Sequence, residues 1–326
     1  MDSKTEATFY SHPSPGYLVI SDADQRDFLQ RQTTNDINLL SPSHILATVL
    51  TSPTARILDV FYLFIENGTE DCENPHKGNI GILPTPSSGD RIYQYLKSRI
   101  FFMDKVSLTN LSHEFCQVDL FGAETSQVLK RIGLPTPPGE YEIVPATHKQ
   151  TCYRILQHAP YVGMGFRLIV PSQSYQELLS DIAEAGAESL TQESYHLLRI
   201  EKGIPALTNE LSEDYTPLEI NLRGAIADKK GCYTGQEVIA RQITYDKVTR
   251  RMVGIYLDKL VSSGTKLSSS QTQAGVITSV VESPRFGPIG LAVVKRPFDQ
   301  PGIELTAYLD SEAIHARVTN LPFSQK

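Results

Sequence analysis

Short apolar runs alternate with amphipathic stretches through most of the chain. Apolar residues at 17–20 predict a strand, and the next stretch, with Phe28 and Leu29 on one side, predicts a helix that ends near Gln32. Two strand-like runs within 45–65, joined by Ser-Pro-Thr-Ala, predict a hairpin. The same reasoning predicts further helices at 88–98, 123–132, 175–185 and 192–202, and strands at 101–108, 115–121, 151–157 and 166–170. Because no long β-α-β run occurs, this order favours an α+β fold.

The pattern changes at Arg250, after which short strand-like runs are separated by Ser-Gly, Ser-Pro and Pro-Gly turns. The predicted strands are 252–257, 275–281, 289–294, 303–309 and 314–318. This spacing is typical of a small β-barrel. We therefore divide the chain into an α+β region, 1–245, and a C-terminal barrel domain, 246–326.

The composition is that of an ordinary globular protein, with 40% hydrophobic and 21% charged residues. A net charge of −7 argues against a broad nucleic-acid-binding surface. No run approaches the ~18 apolar residues of a membrane span, and the acidic start has neither a signal-peptide core nor an Arg-rich transit pattern. We expect a cytoplasmic protein of bacterial type; a mature mitochondrial or plastid matrix protein would have the same features.

The four cysteines are scattered through the chain, without a C-x-x-C pair. They are Cys72, Cys116, Cys152 and Cys232. The histidines are dispersed as well, so we expect neither a disulfide framework nor a preformed metal site. If a metal cluster is handled, a partner protein is expected to supply some of its ligands.

The most informative stretch is K-G-C-Y-T-G-Q-E, which begins at Lys230. Thr234 and Glu237 have the spacing of a capping box and predict the start of a helix. Cys232 would then lie just outside a helix N-terminus and beside a lysine, surroundings that lower the pKa of a thiol. The alternative from the residues alone is that Cys232 is a small buried hydrophobic residue.

This octapeptide resembles the signature of the folate-binding, YgfZ-like family, which assists iron–sulfur enzymes. That family shares its fold with the aminomethyltransferase (T-protein) of the glycine cleavage system. The resemblance covers about residues 16–321. It also rests on F-L-Q-x-Q-x-T-N-D ending at Asp36, R-I-L-D ending at Asp59, R-x-E-x-G starting at Arg199, and E-x-x-x-D-x-x-P-x-E starting at Glu210.

The resemblance implies a T-protein-like multidomain ring, with two interleaved subdomains in its α+β region, around a channel that holds tetrahydrofolate or a one-carbon derivative. Glu201 would bind the pterin, because a carboxylate can accept hydrogen bonds from a ring N–H and an exocyclic NH₂ together. The other residues implied for folate are Arg199, Asn35, Asp36 and Asp59. The chemical step is assigned to the motif: Cys232, Lys230, Tyr233, Gln236, Glu237 and Arg241. From pattern alone, Arg199 and Glu201 would be solvated charges or an intrahelical pair. Without the resemblance, Asn35 and Asp36 would be read as a polar loop or a helix cap.

The function implied by the resemblance is that of a folate-dependent accessory protein for assembly or repair of [4Fe–4S] clusters. Its partners would be iron–sulfur assembly proteins and [4Fe–4S] client enzymes, with tRNA modification affected indirectly and no membrane or direct nucleic-acid partner. Cys232 could act as a nucleophile, a redox group or a transient cluster ligand, and the sequence leaves these three roles open.

Two other functions are open. A tetrahydrofolate-dependent aminomethyltransferase is disfavoured because the T-protein turn with paired Asp residues keeps only Asp59 here. The T-protein Y-T-G-E segment reads Y-V-G-M at 161–164, and T-proteins lack the Cys-Tyr core. A scaffold that binds partners without folate is the second alternative. Whether the protein is an enzyme is therefore left undecided.

Overall fold

The computed structural model describes residues 7–12, 14–67, 77–157, 165–270, 272–309 and 312–324. The first sheet is antiparallel and contains β2 (Leu18–Ser21), β3 (Leu46–Thr51), β4 (Ile57–Ile65), β5 (Ile80–Leu83) and β6 (Ser107–Asn110). Their spatial order is β3-β4-β5-β2-β6. Two helices follow strands of this sheet: α1 (Gln25–Gln32) and α2 (Gly89–Lys97).

The second sheet has the order β11-β1-β7-β10-β9-β8. Its strands are β1 (Ala7–Ser11), β7 (Phe115–Phe121), β8 (Glu142–His148), β9 (Thr151–Gln157), β10 (Gly165–Pro171) and β11 (Ala187–Ser189). Its helices are α3 (Thr125–Arg131) and α4 (Tyr175–Glu184). The N-terminal strand β1 lies between β7 and β11, so the first sheet is built from a segment nested inside the second unit.

Alternation along the strands produces four layers. In β2, Leu18 and Ile20 face α1 and α2, whereas Val19 faces the opposite way, as expected for side chains that alternate along a strand. That opposite face packs on Leu156 and Ile169 of the second sheet. The outer face of the second sheet packs against α3 and α4. The two sheets are therefore stacked between two pairs of helices.

The C-terminal strands close into a barrel of order β12-β15-β14-β13-β16-β17. They are β12 (Arg250–Leu257), β13 (Lys266–Ser269), β14 (Thr272–Ser283), β15 (Gly287–Lys295), β16 (Glu304–Leu309) and β17 (Glu312–Thr319). Helix α5 (Gln192–Lys202) packs on β14 and β15, and α6 (Gln236–Thr244) precedes the barrel. A shared core joins barrel residues to the β3–β4 hairpin: Met252, Ile289 and Leu291 contact the cluster of Val49 and Ile57.

The predicted α+β class with a C-terminal barrel is confirmed, and so is the hairpin within 45–65. The strand predicted at 101–108 is wrong over most of its length, because β6 begins only at Ser107. Phe101 and Asp104 instead close a turn: the Asp104 amide donates to the Phe101 carbonyl at 3.0 Å. Cys152 is disulfide-bonded, which corrects the expectation for that cysteine. The insertion around Cys72 and the segment 161–164 lie outside the described residues.

Candidate functional site

We call residues 230–235 the Cys232 turn. It lies directly before α6, and its cysteine is exposed and free. The predicted capping box is wrong: Gly235 is the N-cap residue, and no side chain caps the helix. Gly235 has φ +85, and a Cβ there would lie 2.8 Å from the Ser52 carbonyl oxygen. Glycine is needed because the turn lies against the tip of the β3–β4 hairpin in a left-handed conformation. Thr234, one residue earlier, binds this hairpin through its carbonyl, which accepts from Thr51 Oγ1 at 2.7 Å.

Lys230 fastens the turn to the end of α1. Its Nζ donates to the carbonyl oxygens of Thr33 and Asn35, both at 2.6 Å, and lies 5.0 Å from the centre of the Tyr233 ring. Burial lowers the pKa of Lys230 to about 8, against the opposing effect of Asp36. The ammonium group therefore holds the backbone around the thiol. The expectation that it favours a thiolate at Cys232 stays a prediction.

Tyr233 is a packing residue of this turn. Its ring lies in a small buried cluster with Ala55, Ile226 and Ile239. Burial raises the pKa of Tyr233 to about 12, so its hydroxyl stays protonated at neutral pH.

The remaining motif residues lie on α6 itself. Gln236 is half-buried at the first helical position, whereas Glu237 and Arg241 form an exposed i,i+4 ion pair at 2.6 Å. Such an exposed pair contributes little to stability. The structure thus gathers Lys230 and Tyr233 around the cysteine turn and leaves Glu237 and Arg241 in solvent.

Asn35 and Asp36 lie at the end of α1, beside the Cys232 turn. The side-chain Nδ2 of the buried Asn35 donates to the Ala47 carbonyl at 2.7 Å, and the Asn35 backbone carbonyl accepts from Lys230. Asp36 Oδ1 accepts from Gln30 Nε2 at 2.9 Å and from the Asn38 amide at 3.1 Å. Asn35 therefore supports the turn through its carbonyl, whereas these contacts of Asp36 lie within its own segment, 30–38. A folate role for either remains a prediction.

Asp59 is a fully buried carboxyl in β4. It accepts from the amides of Val60 and Thr85 at 2.7 and 3.3 Å and from the Ser88 hydroxyl. Burial raises the pKa of Asp59 to about 6, although these hydrogen bonds and Arg91 act in the opposite direction. Asp59 therefore titrates near neutrality while holding the backbone of two neighbours.

Glu201 and Arg199 lie at the barrel side of α5. Glu201 Oε1 accepts from the Ser283 hydroxyl at 2.6 Å, and Arg285 lies 3.8 Å from Oε2. Arg199 donates to the buried carboxylate of Glu210 at 3.1 Å and to Ser279 Oγ at 2.7 Å. Helix α5 is thereby joined to β14 by two separate polar contacts.

A cavity of about 590 Å³, including its opening to solvent, lies between the two sheets and the segment after α5. Its lining is Val60, Tyr62, Leu83, Pro84, Thr85, Pro86, Arg167, Ile204, Pro205, Leu211 and Leu222. Val60 and Thr85 are the residues that Asp59 holds from behind. None of the five residues predicted for folate lines this cavity. Glu201 precedes the lining residue Ile204 by three residues in the chain.

Arg167 is the charged residue of this lining, and the sequence prediction missed it. Its Nε and Nη2 donate to the two Asp119 oxygens at 2.6 and 2.7 Å, and His12 Nε2 lies 2.7 Å from Oδ2. Burial acts to raise the pKa of Asp119, but Arg167 and His12 hold it well below its usual range. The available signal was an arginine inside the apolar run 166–170, since a charge buried in a strand requires a partner.

The walls of the cavity are mixed in character. Most of them are aliphatic, while Tyr62, Thr85 and Arg167 supply polar groups, a mixture typical of small-molecule sites. Among the described residues, no group of three or more His, Cys, Asp or Glu side chains could hold a metal ion. No helix in the described part of the chain is long and apolar enough to cross a membrane.

Comparison with known proteins identifies relatives along almost the whole chain. A chloroplastic protein of Arabidopsis thaliana, named as a putative transferase, is 27% identical over 322 residues, covering 94% of this chain and 69% of its own length. The aminomethyltransferase of Listeria monocytogenes serotype 4b is 22% identical over 333 residues, covering 99% of this chain and 88% of its own.

A solved structure shows the same fold. The glycine cleavage system aminomethyltransferase T from Bartonella henselae superposes with a TM-score of 0.86 at 19% identity, covering 99% of this chain and 87% of its own. Residues 16–230 match the model of the GCVT N-terminal domain, and residues 250–325 match that of the glycine cleavage T-protein C-terminal barrel domain. These two matches establish that the chain belongs to the GCVT domain family.

Proposed function

We propose that this protein is a folate-dependent accessory protein for the assembly or repair of [4Fe–4S] clusters in client enzymes. The observation that carries the proposal is the exposed, free Cys232 on a turn that Lys230 and Gly235 hold firmly against the body. A thiol in that position is accessible to a macromolecule. An enzyme that uses a thiol on a small substrate would more usually enclose it.

We assign Cys232 the role of a transient cluster ligand. A thiolate is the usual protein ligand of iron–sulfur clusters. Within the residues that the structure describes, no group of three or more His, Cys, Asp or Glu side chains could hold a metal ion, and we assign the remaining ligands to the client protein. The cluster is then cargo shared between two proteins, and assembly proteins or [4Fe–4S] enzymes are the expected partners.

We place a reduced folate in the cavity lined by Tyr62, Thr85 and Arg167. The aliphatic walls suit the faces of a pterin, and Thr85 offers a polar group beside them, whereas Arg167 is already engaged by Asp119. Glu201 is the carboxylate that the family resemblance assigns to the pterin; it precedes the lining residue Ile204 by three residues and bonds to Ser283 on the barrel side. When bound, the folate would supply one-carbon chemistry or an electron-rich ring, whereas the protein residues bind and orient it.

Titration calorimetry with tetrahydrofolate tests the folate assignment. Glu201→Ala should weaken binding by about 2–3 kcal/mol, the scale expected when a charged partner is removed from buried donors. The exposed barrel residue Glu312 provides the matched control, and Glu312→Ala should bind as the unmodified protein does. Equal affinity of all three proteins would refute the role of Glu201, and no binding at all would favour the folate-free scaffold.

Aminomethyl transfer is the second candidate, favoured by the names of several relatives. It predicts methylenetetrahydrofolate formation from an aminomethyl-lipoyl carrier protein and tetrahydrofolate. We expect no useful turnover, because only Asp59 remains of the paired Asp residues and its carboxyl is enclosed. Turnover at a normal enzymic rate would make the transferase the leading function.

A further inference from the structure

Three consecutive large apolar side chains project from the turn between α2 and β6. Phe101 is 62% exposed, Phe102 97% and Met103 74%. We call residues 101–104 the Phe102 turn. Single exposed hydrophobic residues are common, but a contiguous group at the tip of a turn marks a surface that meets another molecule.

The Phe102 turn is rigid because Asp104 bonds to both of its ends. The Asp104 amide donates to the Phe101 carbonyl at 3.0 Å, and the Phe101 amide donates back to Asp104 Oδ2 at 2.9 Å. Arg31 Nη2 then donates to Asp104 Oδ1 at 2.8 Å, which fastens the turn to α1. The apolar side chains are therefore presented on a pre-organised backbone, which lowers the entropy lost on binding.

Exposed cations flank the Phe102 turn along the chain. They are Lys97, Arg99 and Lys105. Among the described residues, no carboxylate lies within ion-pair distance of these three side chains, whereas Asp104 and Asp27 are paired with Arg31. Lys97 and Arg99 lie over tyrosine rings of α2, at 5.4 and 4.9 Å from the ring centres. A chain of net charge −7 thus carries positive charge without a carboxylate partner beside this exposed apolar turn.

The Cys232 turn contacts the same end of α1. The carbonyl of Arg31 accepts from the Thr234 amide at 3.1 Å, while the side chain of Arg31 binds Asp104. Lys230 binds the Thr33 carbonyl two residues further on. One arginine thus joins the Phe102 turn to the turn that carries the exposed thiol.

We propose that the Phe102 turn is the docking site for the iron–sulfur client protein that Cys232 serves, an inference that rests on the proposed function. The client would present an apolar pocket bordered by carboxylates, complementary to the Phe and Met side chains and the flanking cations. Aromatic residues, Met and Arg are the types enriched in protein interfaces. These residue types favour a protein partner. A lipid surface would bring no cluster ligands to the thiol of the Cys232 turn.

Site-specific photo-crosslinking in cells that lack the native protein tests the docking site. A benzoylphenylalanine replaces Phe102 in one variant and, as the control, replaces Tyr308, which is 56% exposed on the barrel. Position 102 should form covalent products with [4Fe–4S] enzymes, identified by mass spectrometry, and position 308 should not. Reversing the three cations to Glu should lower the yield at position 102 about tenfold or more, as expected for loss of charge complementarity at an interface.

The competing occupants give different products. Adducts between two copies of this chain, adducts with lipid, or equal yields of iron–sulfur proteins at positions 102 and 308 would each overturn the docking site. Undiminished crosslinking after charge reversal would overturn the acidic-rimmed partner.

A complementation assay separates this inference from the proposed function. Phe102→Ser should keep the melting temperature and tetrahydrofolate affinity but lose [4Fe–4S] enzyme activity in cells. If Cys232→Ser loses that activity while Phe102→Ser retains it, only the docking site is wrong. If Cys232→Ser retains full activity, the proposed function is wrong and the docking inference is rejected with it.

Discussion

Gly235 offers a direct test of how the cysteine turn is held. An alanine there would keep φ +85, which costs about 1–2 kcal/mol for a residue with a Cβ. The new Cβ would also lie 2.8 Å from the Ser52 carbonyl oxygen, 2.9 Å from Thr51 Oγ1 and 3.0 Å from Ala55 Cα. Two of these atoms belong to backbone, so the contact cannot be relieved by a side-chain rotation. Overpacking of this kind adds about 1–3 kcal/mol.

We therefore expect Gly235→Ala to lower the free energy of unfolding by about 1–4 kcal/mol, after allowance for the smaller entropy of the unfolded alanine chain. Gly231→Ala is the matched control in the same turn. Gly231 lacks a positive φ, and nothing lies within 4 Å of the point that its new Cβ would occupy, so its stability should change by less than about 1 kcal/mol.

Urea denaturation measures the two stabilities, and the rate of Cys232 alkylation reports on the turn itself. Gly235→Ala should shift the denaturation midpoint and change the alkylation rate, whereas Gly231→Ala should do neither. Equal midpoints for the two variants would refute the reasoning, because both the backbone argument and the contact distances would then have failed.

Three further predictions concern titration, reactivity and the lysine anchor. The folded pKa of Asp59 is about 6 against an ordinary 3.8, so the stability that its protonated carboxyl contributes is present below about pH 4 and is lost as the pH rises through 6. In urea titrations the free energy of unfolding of Asp59→Asn should therefore rise, relative to that of the unmodified protein, by up to about 3 kcal/mol across this window. A difference that does not depend on pH would contradict this prediction. Alkylation at neutral pH should label Cys232 before the half-buried Cys116, and peptide mapping would show the order. The reverse order would mean that the Cys232 thiol is shielded from the reagent. Lys230→Met removes two charge-assisted hydrogen bonds and should lower the free energy of unfolding by about 2–3 kcal/mol, measured in thermal melts. Replacing the exposed Lys229 by Met is the control and should have little effect. Similar melting temperatures of the two variants would show that the hydrogen bonds of Lys230 contribute nothing.

The sequence predicted those parts of the fold that depend on residues close together in the chain, such as hairpins and helix ends. Alternation indicated the β3–β4 hairpin, and Gly203 ends α5 in the left-handed conformation expected of a helix-terminating glycine. The run from Phe101 was predicted as a strand because an apolar triplet normally enters a core. The conformation of this run is set instead by hydrogen bonds of Asp104 to Phe101 and to Arg31, which lies far away in sequence.

The candidate site was harder to predict because its contacts join distant segments. Glu201 meets Ser283 from the barrel, and Arg167 meets Asp119 from the neighbouring strand. The capping prediction failed because Thr234 binds the hairpin tip through its backbone, which leaves the N-cap position to Gly235. The cysteine motif was visible in the sequence, but the segments that hold it become apparent only in three dimensions.

The nesting of one sheet within the other has a consequence during synthesis. Phe9 of β1 pairs with Leu120 and is in register with Ser189, so the first strand to leave a ribosome has partners that are made much later. At about 5–20 residues per second, β1 would wait many seconds with both edges unpaired. The segment that forms the first sheet is complete in the meantime. The second unit closes only after β11 is made, so a nascent chain carries an exposed strand edge, and with it a risk of aggregation, until translation is more than half finished.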